Sequence, residues 1–93
     1  MHGNPQPAYK SLQRIYGTIE EEFAGHVERC RDFLRHKSVS ASGAGIRETA
    51  DWIREAILEL GGAVSYAGDP AFPIIYGKID GRKKKTLIIY GMY

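Results

Sequence analysis

The residues of this chain whose types and spacing could do chemistry are two histidines, one cysteine, a glycine pair ahead of a helix and a run of cations. His26 and His36 offer imidazole nitrogens, but they lie ten positions apart and do not read as a shared metal site. His26 adjoins an apolar stripe and reads as a half-buried packing residue. Cys30 continues the same stripe, so it reads as a small core hydrophobe rather than a nucleophile. Gly43-Ala44-Gly45 would present backbone amides to a phosphate at a helix start. It follows a helix rather than a strand, however, and has neither a third glycine nor a Gly-Lys-Ser/Thr sequence, so an interhelical linker is the better reading. Arg82-Lys83-Lys84-Lys85, beside Tyr66, Tyr76 and Tyr90, could grip phosphates while the rings stack on bases. Against this, basic turns commonly keep sheet edges soluble. Paired carboxylates, a serine with an oriented base and a Cys/His set are not recognisable, so no residue is assigned a catalytic, cofactor-binding or metal-ligating role.

The elements that must position these residues follow from periodicity. Residues 1–10, with two prolines, a glycine and an asparagine, read as a flexible leader, and 11–93 as one domain. Leu12, Ile15, Ile19, Phe23, Val27, Cys30 and Phe33/Leu34 recur in steps of three and four, which predicts a helix. Thr18 with Glu21 has the form of a capping box, which would start the main helix there and leave Leu12–Tyr16 as a separate turn. Residues 38–45 are small and polar, a loop in which Ser42 could cap a second helix carrying Ile46, Ala50, Ile53, Ile57 and Leu60. Gly61-Gly62 stops that helix. Strands are predicted over Ala63–Ala67, Pro73–Ile79 and Thr86–Tyr90, the first two joined by a turn at Gly68-Asp69-Pro70 and the last preceded by the basic turn. The order is α-α-β-β-β.

Composition is that of an ordinary folded chain. It has 93 residues, 43% hydrophobic and 26% charged, with 13 basic and 11 acidic residues for a net charge of +2, a balance that singles out no partner. A single cysteine excludes a disulfide framework within the chain and fits a reducing compartment. No run approaches the roughly 20 apolar residues of a membrane span, and the polar start lacks a signal-peptide core. Cytoplasmic placement without a membrane partner is therefore expected.

Thr86–Tyr90 is apolar on both faces, the pattern of a strand covered from two sides. The two helices could cover one side, and the residues for the other are not evident. The missing layer is expected from further residues or a partner chain.

Cys30–Ser40, then Ile46-Arg47-Glu48-Thr49-Ala50-Asp51-Trp52-Ile53 through Leu60-Gly61-Gly62, resembles the opening of the family that includes aminoacylase, carnosinase-type dipeptidases, acetylornithine deacetylase and succinyl-diaminopimelate desuccinylase. Thr86–Tyr93 looks like that family's third strand, which usually continues as Gly-His-Tyr-Asp-Val. The resemblance spans about Ile19 to Tyr93. It implies a three-layer α/β/α zinc-peptidase domain, here truncated after its third strand, and for an intact parent the hydrolysis of an amide or peptide bond by metal-activated water. A small peptide or N-acyl amino acid would be the substrate, and the remainder of the domain the partner that covers the last strand. In the family the histidine of the strand-end motif binds zinc; here that position is Met92, a soft thioether poorly suited to zinc. The bridging aspartate would follow Tyr93, and the general-base glutamate lies further on. The chain is thus expected to hold no cofactor and to be inactive alone. The alternative from another class is a small standalone interaction module binding nucleic acid through Arg82, Lys83, Lys84 and Lys85.

Overall fold

A computed structural model describes residues 7–93, and residues 1–6 of the leader predicted over 1–10 lie outside them. The described chain is mixed α/β, with helices α1 (Pro7–Leu34) and α2 (Ile46–Glu59) followed by strands β1 (Ala63–Ala67) and β2 (Ile74–Lys78). Two compact units divide it, the first ending at Asp32 and the second running Phe33–Tyr93.

In the first unit α1 is continuous from Pro7, so Pro7–Lys10 are helical and Leu12–Tyr16 are no separate turn. Proline suits the first helical position, where its missing N–H would have had no intrahelical partner. Thr18 does not cap. Its Oγ1 donates to the Arg14 carbonyl at 3.1 Å, the back-bond of a residue in mid-helix. The helix passes through because a capping pair is only an opportunity: the apolar period is unbroken on both sides, and Gly17 costs only about 1 kcal/mol relative to alanine. The stripe is there, but uncovered, with Leu12, Ile15, Ile19 and Phe23 between 47% and 63% exposed.

In the second unit the chain leaves α1 with His36 N donating to Phe33 O at 3.2 Å. Trp52 of α2 packs on Phe33 at 5.4 Å between ring centroids and on His36 at 6.0 Å. Between the helices, Val39 bridges Ala44 and Gly43 N donates to Val39 O at 2.8 Å, a closed loop. Ser42 does not cap α2: its Oγ accepts from Ala44 N at 3.3 Å inside the loop, and the N-cap residue is Gly45, which makes no side-chain cap bond. Gly45 is needed for space. It sits at φ 72°, and a Cβ there would meet Lys37 O at 2.1 Å.

The α2 stripe is buried at its start and half-buried at Ile53 and Ile57, but Leu60, predicted to belong to it, is the C-cap residue and is 70% exposed. Ile46 and Ala50 are buried, and Thr49 between them is 1% exposed, its hydroxyl lying 2.8 Å from Lys37 O and 2.7 Å from Gly45 O. The helix ends in a Schellman motif, with Gly61 N on Leu58 O at 2.9 Å, Gly62 N on Ile57 O at 3.0 Å and Gly61 at φ 85°. β1 and β2 form an antiparallel hairpin in which Tyr66 faces Ile75. Its tight end is set by Asp69, whose Oδ1 accepts from Ala71 N and whose carbonyl accepts from Phe72 N, both at 2.9 Å. Ile57 of α2 lies on the hairpin where β2 has Gly77, since a Cβ there would come within 2.8 Å of Ile57 Cδ1.

The third strand does not form. Among the described residues Thr86–Tyr90 has no strand partner, and Leu87, Ile88, Ile89, Tyr90 and Met92 are 83–88% exposed. A ladder would bury one apolar face but leave the other in water. That half-gain does not offset the roughly 1–2 kcal/mol of backbone entropy for each residue fixed. Arg82, Lys83 and Lys84 consequently lie in a bend, with Lys85 just past it, rather than in a hairpin turn. The structure contains a two-stranded sheet with one helix against it, and a three-layer domain is not seen.

Candidate functional site

The densest polar constellation lies where α2 meets β1. Arg47 and Asp51 are one turn apart on α2, with Arg47 Nε 3.5 Å from Asp51 Oδ1. Tyr66, at an inward position of β1, donates its hydroxyl to the same Asp51 Oδ1 at 2.6 Å. The Arg47 guanidinium stands over the Tyr66 ring, 5.1 Å from its centroid, a cation–π arrangement. Tyr93 OH donates to the Pro73 carbonyl at the start of β2, which returns the segment after β2 along the length of that strand.

Electrostatics decide what this cluster can do. Burial, reinforced by the hydrogen bond to Asp51, pushes the Tyr66 phenol up to about 12, with Arg47 opposing. Burial raises the Tyr93 phenol too, again against Arg47. Both phenols are therefore neutral donors at ordinary pH and cannot serve as bases. Asp51 accepts from Tyr66 and faces Arg47, so its carboxylate is already engaged. The cluster fastens α2 to β1 through a charge-assisted bond rather than presenting a free acid, base or nucleophile.

The residues singled out by sequence are scattered. His26 is exposed on α1 instead of half-buried, and Cys30 is exposed rather than a core hydrophobe. His36 is half-buried beside Trp52. Around Gly43-Ala44-Gly45 the amides of Gly43, Ala44 and Ile46 already bond to Val39 O, Ser42 Oγ and Gly43 O, so this loop has no such cradle to offer a phosphate. Arg82, Lys83, Lys84 and Lys85 are all exposed. The Arg47–Asp51–Tyr66 cluster was missed by pattern reading. The i,i+4 spacing of Arg47 and Asp51 was its one visible signal, and the partner on β1 was not.

Among the described residues no group of three or more His, Cys, Asp or Glu side chains stands close enough to hold a metal ion. Met92, at the position where the resemblance calls for a zinc-binding imidazole, is 85% exposed and offers only a neutral sulfur. The residues present do not fit zinc. No helix among the described residues is long and apolar enough to cross a membrane. Compared with protein-family models, curated proteins and solved structures, the chain matches none.

Proposed function

We propose that these residues are the opening segment of the catalytic domain of a metal-dependent hydrolase of amide or peptide bonds, of dipeptidase or N-acyl-amino-acid deacylase class, and are catalytically silent by themselves. The proposal includes cytoplasmic placement, a small peptide or N-acyl amino acid as the substrate of the whole domain, and zinc bound by residues outside this chain.

One observation carries it: the hairpin and the segment after it are apolar where nothing covers them. α2 packs on one face of the β1–β2 sheet, while on the other Ile74 and Tyr76 are 63% and 61% exposed, and Thr86–Met92 is barer still. Folded chains seldom leave this many large apolar side chains in water. A second helical layer would cover them and give Thr86–Tyr90 the two-sided environment its sequence suits. The element order and the layout from Cys30 to Gly62 support the same reading.

Two measurements test it. Sequencing the transcript past the Tyr93 codon is expected to show the frame continuing through Asp-Val into ligand-bearing residues, and a stop codon there overturns the proposal. The purified chain is expected to retain no stoichiometric zinc and to leave dipeptides and N-acetyl amino acids intact. Tight zinc with turnover would remove the claim of silence.

A further inference from the structure

We infer that α1 pairs with α1 of a second copy of this chain, in antiparallel orientation, through the face formed by Ile19, Phe23, Val27 and Cys30. This inference concerns the chain as it stands and does not rest on the hydrolase reading.

The need for a partner comes from the helix itself. Ile19 is 49% and Phe23 63% exposed, and Cys30 is exposed beside them. A helix held by propensity alone is marginal in water, and most helical stability comes from packing an apolar face. The identity and direction of the partner come from charge. Glu20 and Glu22 precede the middle of the face, and Arg29 and Arg31 follow it. At about 100° per residue, Glu20 and Arg31 flank one side of the apolar stripe, while Glu22 and Arg29 flank the other.

In an antiparallel pair, like flanks of the two helices meet. Glu20 then faces Arg31 of the second copy while Glu22 faces Arg29, and both pairs share one midpoint, between Gly25 and His26. The apolar pairs Ile19 with Cys30 and Phe23 with Val27 centre within about one residue of it, so charge and packing ask for the same register. A parallel in-register pair brings opposite flanks together with an offset of about five residues, so Glu22 and Arg29 would meet Val27 and Leu34 and gain no opposite charge. Arg31 already holds Glu28 of its own helix at 2.6 Å, and both side chains are more than half exposed. A guanidinium with five donors can serve both carboxylates. The two-fold contact uses the same patch on each copy and so closes on itself. Four apolar side chains and the flanking stems from each copy bury on the order of 1,000 Å² in total, which suits a weak, reversible dimer in the micromolar range.

Sedimentation equilibrium of the full chain from 5 µM to 500 µM tests this, with circular dichroism confirming helicity for each variant. The expected result is a monomer–dimer equilibrium. Glu20→Arg alone and Arg31→Glu alone should each weaken it by roughly tenfold, and the double exchange should restore it. Orientation is read separately. In a Cys30→Ala background, Glu20→Cys with Arg31→Cys should give a covalent dimer on mild oxidation, whereas the native Cys30 should not cross-link to its counterpart, which the antiparallel register holds too far away. A monomer throughout the range overturns the inference. So does a dimer indifferent to the single exchanges, which would point to pairing through Thr86–Met92, or rapid Cys30–Cys30 cross-linking, which would require parallel helices.

Discussion

Gly45→Ala should destabilise the second unit, and the structure allows the magnitude to be worked out. Two effects add. At φ 72° an L-residue carries a left-handed penalty of about 1–2 kcal/mol. The new methyl would also stand 2.1 Å from Lys37 O and 2.7 Å from Lys37 C and Cβ, all belonging to the adjoining loop and most of it backbone. That strand of loop must move away, and the Lys37 carbonyl then leaves the Thr49 hydroxyl at 2.8 Å. Losing a buried hydrogen bond of this kind costs about 1–3 kcal/mol. Together the loss is about 2–5 kcal/mol, out of the roughly 5–14 kcal/mol a chain of 93 residues has in all. Gly43→Ala is the control: Gly43 has the same sign of φ, 76°, but open space where the methyl would go, so only the backbone strain of about 1–2 kcal/mol applies. Urea titration followed by fluorescence reads the second unit alone, since Trp52 is the only tryptophan and packs there on Phe33. If the two variants lose the same stability within about 0.5 kcal/mol, the contact with Lys37 does not govern this loop and the reasoning fails.

Other expectations follow from the same contacts. Thr49→Val should cost about 1–3 kcal/mol by leaving Lys37 O short of a donor, and Thr49→Ser should recover most of it in the same titration. Ser38 Oγ is buried without a hydrogen-bond partner among the described residues, so Ser38→Ala should leave stability unchanged or raise it, and a loss above about 1 kcal/mol would show a hidden partner. For Tyr66 the sign is set by a phenol whose folded value, about 12, exceeds the ordinary 10: its contribution to stability is complete below pH 10 and is lost as pH rises from 10 to 12. Ultraviolet titration should find one tyrosine ionising last, Tyr66→Phe should remove that step, and a common midpoint near 10 for all tyrosines would refute it. Leu87→Ser with Ile89→Ser should change stability by less than about 0.5 kcal/mol, because both side chains are over 80% exposed in this chain.

Patterns governed by local spacing were legible. α2 begins at Ile46 and ends ahead of Gly61-Gly62 because three- and four-residue periodicity and a glycine stop are written in neighbouring residues. β1 and β2 were visible for the same reason, alternation between turn residues. The caps were misread. Thr18 has the residue types of a capping box but sits inside a helix that had no reason to stop, and Ser42 spends its oxygen on a two-residue loop bond before α2 begins. Side-chain type announces what a residue can bond to, while the competing partners decide what it does. The Arg47–Asp51–Tyr66 cluster illustrates the limit, since Tyr66 is fifteen residues from Asp51 and its arrival depends on the hairpin register.

The sequence by itself determined the two helices, the hairpin, the glycine stop and the both-faced apolarity of Thr86–Tyr90, because each is a property of a few adjacent residues. Tertiary structure alone decided which apolar faces are covered. Ile46 and Ala50 are buried, whereas Cys30 and Leu87, just as apolar in the pattern, are exposed. Periodicity marks a face as fit for burial, but burial requires a second surface, and a strand needs its covering layers before its hydrogen bonds outweigh the entropy of ordering it.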